Sequence, residues 1–265
     1  MIVNGKQIAN RLKEEIRNLA SSGAPKKIGI FYAGINPVIE SFISRKQKFG
    51  EDVGVRVEVL RFPEEVSEEE LISSIISSGE KFDGVIVQLP LPAHLDKQKI
   101  LDAVPVTKDI DVLSTESVEA MFNRRVMRLS PVVGAIDEIF REYRIDLHGK
   151  NILIIGMGAL VGKPVSLWLQ REGFVPQMAD KDTENMTELI SSADVIISGT
   201  GVPGLLRKDM IKQGVVLIDA GASTEGGLLR GDVDPDCAEI ASLYSGVPGG
   251  VGPITVAKIF QNLFL

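Results

Sequence analysis

One cysteine, Cys237, and two histidines, His94 and His148, are all that the 265 residues hold of thiol and imidazole. A single thiol closes no intrachain disulfide, which excludes a disulfide-stapled secreted scaffold and matches usage in a reducing compartment. Neither histidine is spaced with a serine, thiol or acid as in a familiar catalytic or metal-ligand motif, so no metal is expected. Positive charge is also scarce: 29 Lys and Arg stand against 36 Asp and Glu, a net −7. That excess opposes a broad phosphate-binding face for nucleic acid, while leaving room for a local pocket that takes a small anion. No apolar run approaches the roughly 18–20 residues of a membrane span. The opening MIVNGKQIAN sets Lys6 and Arg11 around a short apolar stretch and lacks a signal-peptide core. A cytoplasmic protein with neither membrane nor nucleic acid as partner is the expectation.

What remains is ordinary globular usage, with 44% hydrophobic and 25% charged residues. The length suits two linked domains or one large α/β domain. Strand-like runs at 26–34, 55–62 and 84–92 in the first half, and at 151–156, 175–179, 194–199 and 215–221 in the second, alternate with helical patterns. Several runs are apolar on both faces, as strands of a parallel sheet covered by helices are. Ile8, Leu12, Ile16 and Leu19 recur at helical spacing, and Ser67 followed by Glu70 predicts a capping box before LISSIISS. The prediction is right-handed βαβ units in two α/β domains flanking a cleft, the second a Rossmann-type nucleotide-binding domain. The break falls near 123–131. Residues 1–129 form the first domain, 130–252 the second, and the apolar helix at 253–265 packs back on the first.

NILIIGMGALVGKPVSLWL reads as a buried strand, a glycine turn and a helix. Gly156, Gly158 and Gly162 are spaced G-x-G-x-x-x-G, one residue longer than the dinucleotide fingerprint. The glycines permit a tight turn, approach of a pyrophosphate to the helix N-terminus, and close helix–strand contact. The next strand ends at Asp180, which suits the adenosine ribose hydroxyls of NAD. Lys181 beside it suits the 2′-phosphate of NADP, so spacing leaves the two cofactors open.

In the first half, Asn36-Pro37 opens a helix that sets Phe42 and Lys46 four residues apart on one face. A ring beside an amine suits a stacked heterocycle and a shuttled proton, but spacing alone equally supports a core ring and a surface cation. Gln88 closes the strand at 84–92, at the end where parallel sheets bind ligands, and a buried amide there needs partners. Asp109 and Asp111 lie in a loop, where a carboxylate can grip an amidine-like edge in bidentate fashion. SGVPGGVGPIT (245–255) is a rigid loop poor in side chains, fit to approach a flat ligand closely.

FISRKQK (42–48), DGVIVQLPLP (83–92), KDID (108–111), GMGALVGKP (156–164) and VPGGVGPIT (247–255) together resemble the methylenetetrahydrofolate dehydrogenase/methenyltetrahydrofolate cyclohydrolase family. The motifs keep the family's order and cover nearly the whole chain. The resemblance implies NAD(P)-dependent oxidation of 5,10-methylenetetrahydrofolate, then hydrolysis to 10-formyltetrahydrofolate, by a cytoplasmic homodimer in one-carbon metabolism. It implies that Lys46 is the catalytic lysine, that Gln88 holds it, and that Asp111 grips the pterin edge. Phe42, Pro248, Gly249 and Pro253 line the folate. It implies that Gly156, Met157, Gly158, Lys181 and Ala222 meet NAD or NADP, beside Gly162 and Asp180, which the glycine turn and the strand end already assign there. Five departures stand out: Phe42 replaces the family's tyrosine, Val38-Ile39 its nearby Ala-Ser pair, Val112 its glycine after the aspartate, LSP (129–131) its Pro-Cys-Thr-Pro, and the glycine turn lacks an arginine. They bear on the cyclohydrolase step and the cofactor choice. Two alternatives stay in view: a shikimate-type dehydrogenase on the same architecture, and a non-catalytic folate or nucleotide binder.

Overall fold

In a computed structural model, residues 1–78, 80–225 and 228–265 are described. The chain divides into two compact units, one of residues 10–131 with 256–265, the other of residues 1–9 with 132–255. The sequence expectation put the boundaries at 129/130 and 252/253. The first nine residues group with the second unit: Val3 N donates to Tyr244 O (2.8 Å) and Gly5 N to Gly249 O (3.0 Å).

The first unit takes most of α1 (Gly5–Ser21), then β1 (Lys27–Ala33), α2 (Pro37–Val53), β2 (Arg56–Phe62), α3 (Glu68–Ser78), β3 (Gly84–Val87), α4 (Lys97–Asp102) and α5 (Thr115–Phe122). Its three strands are parallel in the order β2-β1-β3. Ile8, Leu12 and Ile16 of α1 are buried, whereas Leu19 is 46% exposed and stands outside the expected apolar stripe. The Asn36 side chain caps α2, its Oδ1 accepting from Val38 N at 2.9 Å, and Pro37 follows where a missing N–H costs nothing. Ser67 Oγ likewise accepts from Glu70 N at the head of α3. β3 stops at Val87, short of the expected 92, because Pro90 and Pro92 bring no N–H to a ladder.

The second unit runs α6 (Pro131–Glu142), β4 (Ile152–Ile155), α7 (Gly162–Arg171), β5 (Gln177–Ala179), α8 (Met186–Ser192), β6 (Val195–Ser198), β7 (Val216–Asp219), β8 (Ser223–Glu225), β9 (Leu228–Arg230) and β10 (Leu243–Ser245), and the chain ends in α9 (Val251–Asn262). Its sheet is parallel in the order β10-β7-β6-β4-β5. Every residue of β4, β6 and β7 is buried, as expected of strands covered on both faces. Strand order reverses between β4 and β6, and in open α/β sheets ligands bind at the carboxyl ends beside such a reversal.

Candidate active site

Lys46 lies in α2, a helix packed on the sheet, and Gln88 just past the carboxyl end of the sheet's strand β3, and the two meet at a single point. Lys46 Nζ donates to Gln88 Oε1 at 2.7 Å. Gln88 is 8% exposed, and its Nε2 donates to Leu89 O at 2.9 Å. That second bond fixes which way the amide faces, so the oxygen is the atom turned to the amine. Burial pushes the Lys46 amine below its ordinary range, and the nearby Asp111 carboxylate pulls the other way. Burial likewise raises Asp111 to about 6, against the pull of Lys46 and with some help from Asp109. Phe42, one turn before Lys46, is half-buried, and the Arg45 guanidinium covers its ring at 5.6 Å. Arg45 was not singled out in the sequence, because an (i, i+3) cation next to a ring is common on any exposed helix.

The paired acids of KDID separate into two tasks. Asp109 is 3% exposed, and its Oδ2 accepts from Leu113 N (3.1 Å), Ser114 N (2.9 Å) and Ser114 Oγ (2.8 Å). It braces the loop into α5. Asp111 is the acid coupled to Lys46. Between that acid and the brace sits Val112, buried at 2% exposure with φ +55°. A β-branched residue in the left-handed region costs about 1–2 kcal/mol, a cost that glycine, having no Cβ, escapes. Val112→Gly and Val112→Ala both delete the buried side chain, but only glycine relieves the backbone. Glycine's greater freedom in the unfolded chain offsets part of that relief. The glycine variant is therefore expected to be the more stable of the two by about 0.5–1 kcal/mol in urea unfolding. An alanine variant at least as stable would show the backbone to be unstrained.

In the second unit the glycine turn follows β4 at the strand-order reversal. Gly156 has φ +87°, and its N–H donates to Ala179 O at 2.8 Å, tying the turn to the end of β5. A Cβ on Gly162 would collide with the Gly156 carbonyl oxygen, whereas a Cβ on Gly158 would meet nothing within 4 Å. Gly162 thus permits the helix to touch the turn, and Gly158 presents bare backbone to open space, as a pyrophosphate requires. Met157 is half-buried; Asp180, Lys181 and Ala222 are exposed at the carboxyl ends of β5 and β7. Pro248 is exposed, Gly249 has φ +108°, and Pro253 stands in the first turn of α9. These three lie in the second unit, whereas Phe42, Lys46, Gln88 and Asp111 lie in the first.

A pair of fully buried acids escaped the sequence reading. Asp219 accepts from the N–H groups of Gly221, Asp232 and Val233 at 3.0–3.1 Å. Asp232 Oδ2 accepts from Ser198 Oγ (2.6 Å) and Thr200 N (2.7 Å) and holds the loop after β6 beside the glycine turn. The signal was present in VLIDAG and GDVD, acids set directly against apolar strands. Among the described residues no group of acids, histidines and cysteine could hold a metal ion.

Two family models match the chain. The tetrahydrofolate dehydrogenase/cyclohydrolase catalytic domain covers residues 3–111, and the NAD(P)-binding domain of the same description covers residues 131–265. The chain belongs to the tetrahydrofolate dehydrogenase/cyclohydrolase family. It is an NAD(P)-dependent enzyme of folate chemistry, and the shikimate-type alternative falls away. The bifunctional protein FolD of Aquifex aeolicus is 34% identical over 99% of this chain and 93% of its own length. The crystal structure of the bifunctional FolD dehydrogenase/cyclohydrolase from Campylobacter jejuni, 30% identical, superposes with a TM-score of 0.94 over 100% of this chain and 97% of that one. The Trypanosoma brucei enzyme, solved with NADP cofactor and an inhibitor, is 26% identical with a TM-score of 0.93 over 99% and 95%. The two α/β units, one with a parallel nucleotide-binding sheet, are the architecture expected from the sequence.

Proposed function

We propose that this chain carries out both reactions of its family with Lys46 as the proton-transfer group of the second. The observation that supports it is the part-buried Lys46–Gln88 bond of 2.7 Å near Asp111. Asp111 grips the N–H-rich edge of the pterin in bidentate fashion, Phe42 offers its ring to the flat heterocycle, and Pro248, Gly249 and Pro253 line the folate. The glycine turn seats the nucleotide's pyrophosphate, with Met157, Asp180, Lys181 and Ala222 around it. NAD(P)+ held there would supply the acceptor for the hydride of the methylene bridge of 5,10-methylenetetrahydrofolate. That step asks the protein only for orientation and exclusion of water.

Hydrolysis asks for more. Water adds to the carbon of the 5,10-methenyl cation, and neutral Lys46 accepts one of its protons. As the bond from that carbon to N5 breaks, the Lys46 ammonium returns this proton to N5. The second proton of the water leaves to solvent and 10-formyltetrahydrofolate results. Burial favours the neutral amine that begins this cycle, and Gln88 aims it. A homodimer formed through the nucleotide unit, located in the cytoplasm, belongs to the same reading, and light scattering reads the first. Incubating the enzyme with methylenetetrahydrofolate and either nucleotide should produce the methenyl and then the formyl species. Failure to form methenyl product with both nucleotides would overturn the reading.

The pH dependence follows from Asp111. Its carboxyl, raised to about 6, is ionised above that pH and neutral below it. The neutral acid loses half of its bidentate acceptor. KM for folate is therefore expected to rise roughly tenfold from pH 7 to pH 5, while Asp111→Asn shows a raised KM that is flat across this range. A wild-type KM unchanged down to pH 5 would remove Asp111 from pterin recognition.

A further inference from the structure

The nucleotide unit carries an observation that the family reading leaves open, at the end of β5. Asp180 follows the strand directly, and the Ala179 carbonyl before it holds the Gly156 N–H at 2.8 Å. The acid is thus fixed next to the glycine turn. Its own N–H donates to Thr183 Oγ1 at 2.9 Å. Its Oδ1 accepts from Asp182 N at 3.0 Å and from the Thr183 hydroxyl at 3.3 Å. One carboxylate oxygen is therefore committed to the turn, which pins the group, while the second has no hydrogen-bond partner among the described residues. Met157, Gly158, Ala159 and Leu160 bring no charge from the opposing turn. Lys181 is exposed and flanked by Asp180 and Asp182, so the segment DKDTE (180–184) is net negative.

We propose that this nucleotide unit selects NAD+ over NADP+, with Asp180 as the specificity-determining residue. The inference rests on the dehydrogenase reading above. A carboxylate beside the adenosine ribose accepts hydrogen bonds from its 2′- and 3′-hydroxyls. An ester phosphate at the 2′ position replaces one donor with a group of charge about −1.5 to −2 near pH 7. Asp180 then faces a like charge, and the only cation in the segment is already balanced by its two acidic neighbours. Discrimination arises as much from this repulsion as from the attraction.

The test is binding of NADH and NADPH to the purified enzyme without folate, read from nucleotide fluorescence, together with kcat/KM for NAD+ and NADP+. The native enzyme is expected to bind NADH at least about 100-fold more tightly than NADPH. Asp180→Asn keeps the oxygen that caps the turn and removes only the charge. It should shrink that ratio at least about tenfold, chiefly by tightening NADPH, with an unchanged thermal unfolding midpoint. NADPH binding as tightly as NADH to the native enzyme would overturn the inference and leave the dehydrogenase reading intact. So would a ratio unmoved by Asp180→Asn. If neither nucleotide binds, the dehydrogenase reading itself fails, and the inference with it.

Discussion

Lys46→Met should lower cyclohydrolase turnover by about 10²–10⁴-fold, the usual contribution of a positioned acid–base group, with dehydrogenase turnover much less affected. The asymmetry comes from the chemistry. Hydride transfer moves no proton at the carbon, whereas opening the methenyl ring moves two. Methionine keeps most of the lysine stem, and the two residues have similar helix propensity, so α2 is not at risk. The variant leaves the Gln88 oxygen without its donor, but Gln88 Nε2 remains tied to Leu89 O, which holds the amide in place. Steady-state assays that follow methenyl and formyl products separately check the result. Equal loss of both activities would make Lys46 a group that positions folate. Unchanged hydrolysis would remove it from the mechanism.

The glycine turn offers the second large effect, and it divides two residues that look alike in sequence. Gly158→Val places a branched side chain where a Cβ meets nothing within 4 Å, so the fold has no reason to suffer. It fills the space a pyrophosphate needs, and nucleotide affinity should fall at least about 100-fold, a loss near 2.7 kcal/mol. The unfolding midpoint should stay within about 2 °C of the native value. Gly162→Ala does the opposite. Its methyl would collide with the Gly156 carbonyl oxygen, and backbone on both sides leaves little room to relax. A destabilisation of about 1–3 kcal/mol, typical of overpacking, is expected, with weaker nucleotide binding as a consequence. Nucleotide titration and thermal unfolding of both variants separate the two cases. Normal binding by Gly158→Val would mean that the phosphate path lies elsewhere.

Local chemistry made much of this protein legible in its sequence. Buried parallel strands are apolar throughout, and β4, β6 and β7 read that way because helices cover both faces. Asn36-Pro37 marks the start of α2 because capping and a fixed φ act within one turn. Gly156 is a glycine because φ +87° is closed to most side chains. Short strands were another matter. β8, β9 and β10 run three residues each, too short for a period of two to show; β8 and β9 pair only with each other, and β10 exists through a partner distant in the chain, Leu243 against Val216. β5 begins at Gln177 and not at 175, since Pro176 has no N–H to place in a ladder. The site shows the same division. Phe42 and Lys46 share a helix face by spacing alone, but Lys46 meets Gln88 across 42 residues of chain, and only the packing of α2 on the β1–β3 sheet brings them together. Asp109 and Asp111 are two acids of one loop and cannot be ranked by sequence. Tertiary structure ranks them, because burial against Leu113 and Ser114 spends Asp109 on backbone donors, while Asp111 is left to face the lysine. Residue type and spacing determine which chemistry is available to this chain, and folding decides which of two identical carboxyls is taken up by backbone donors.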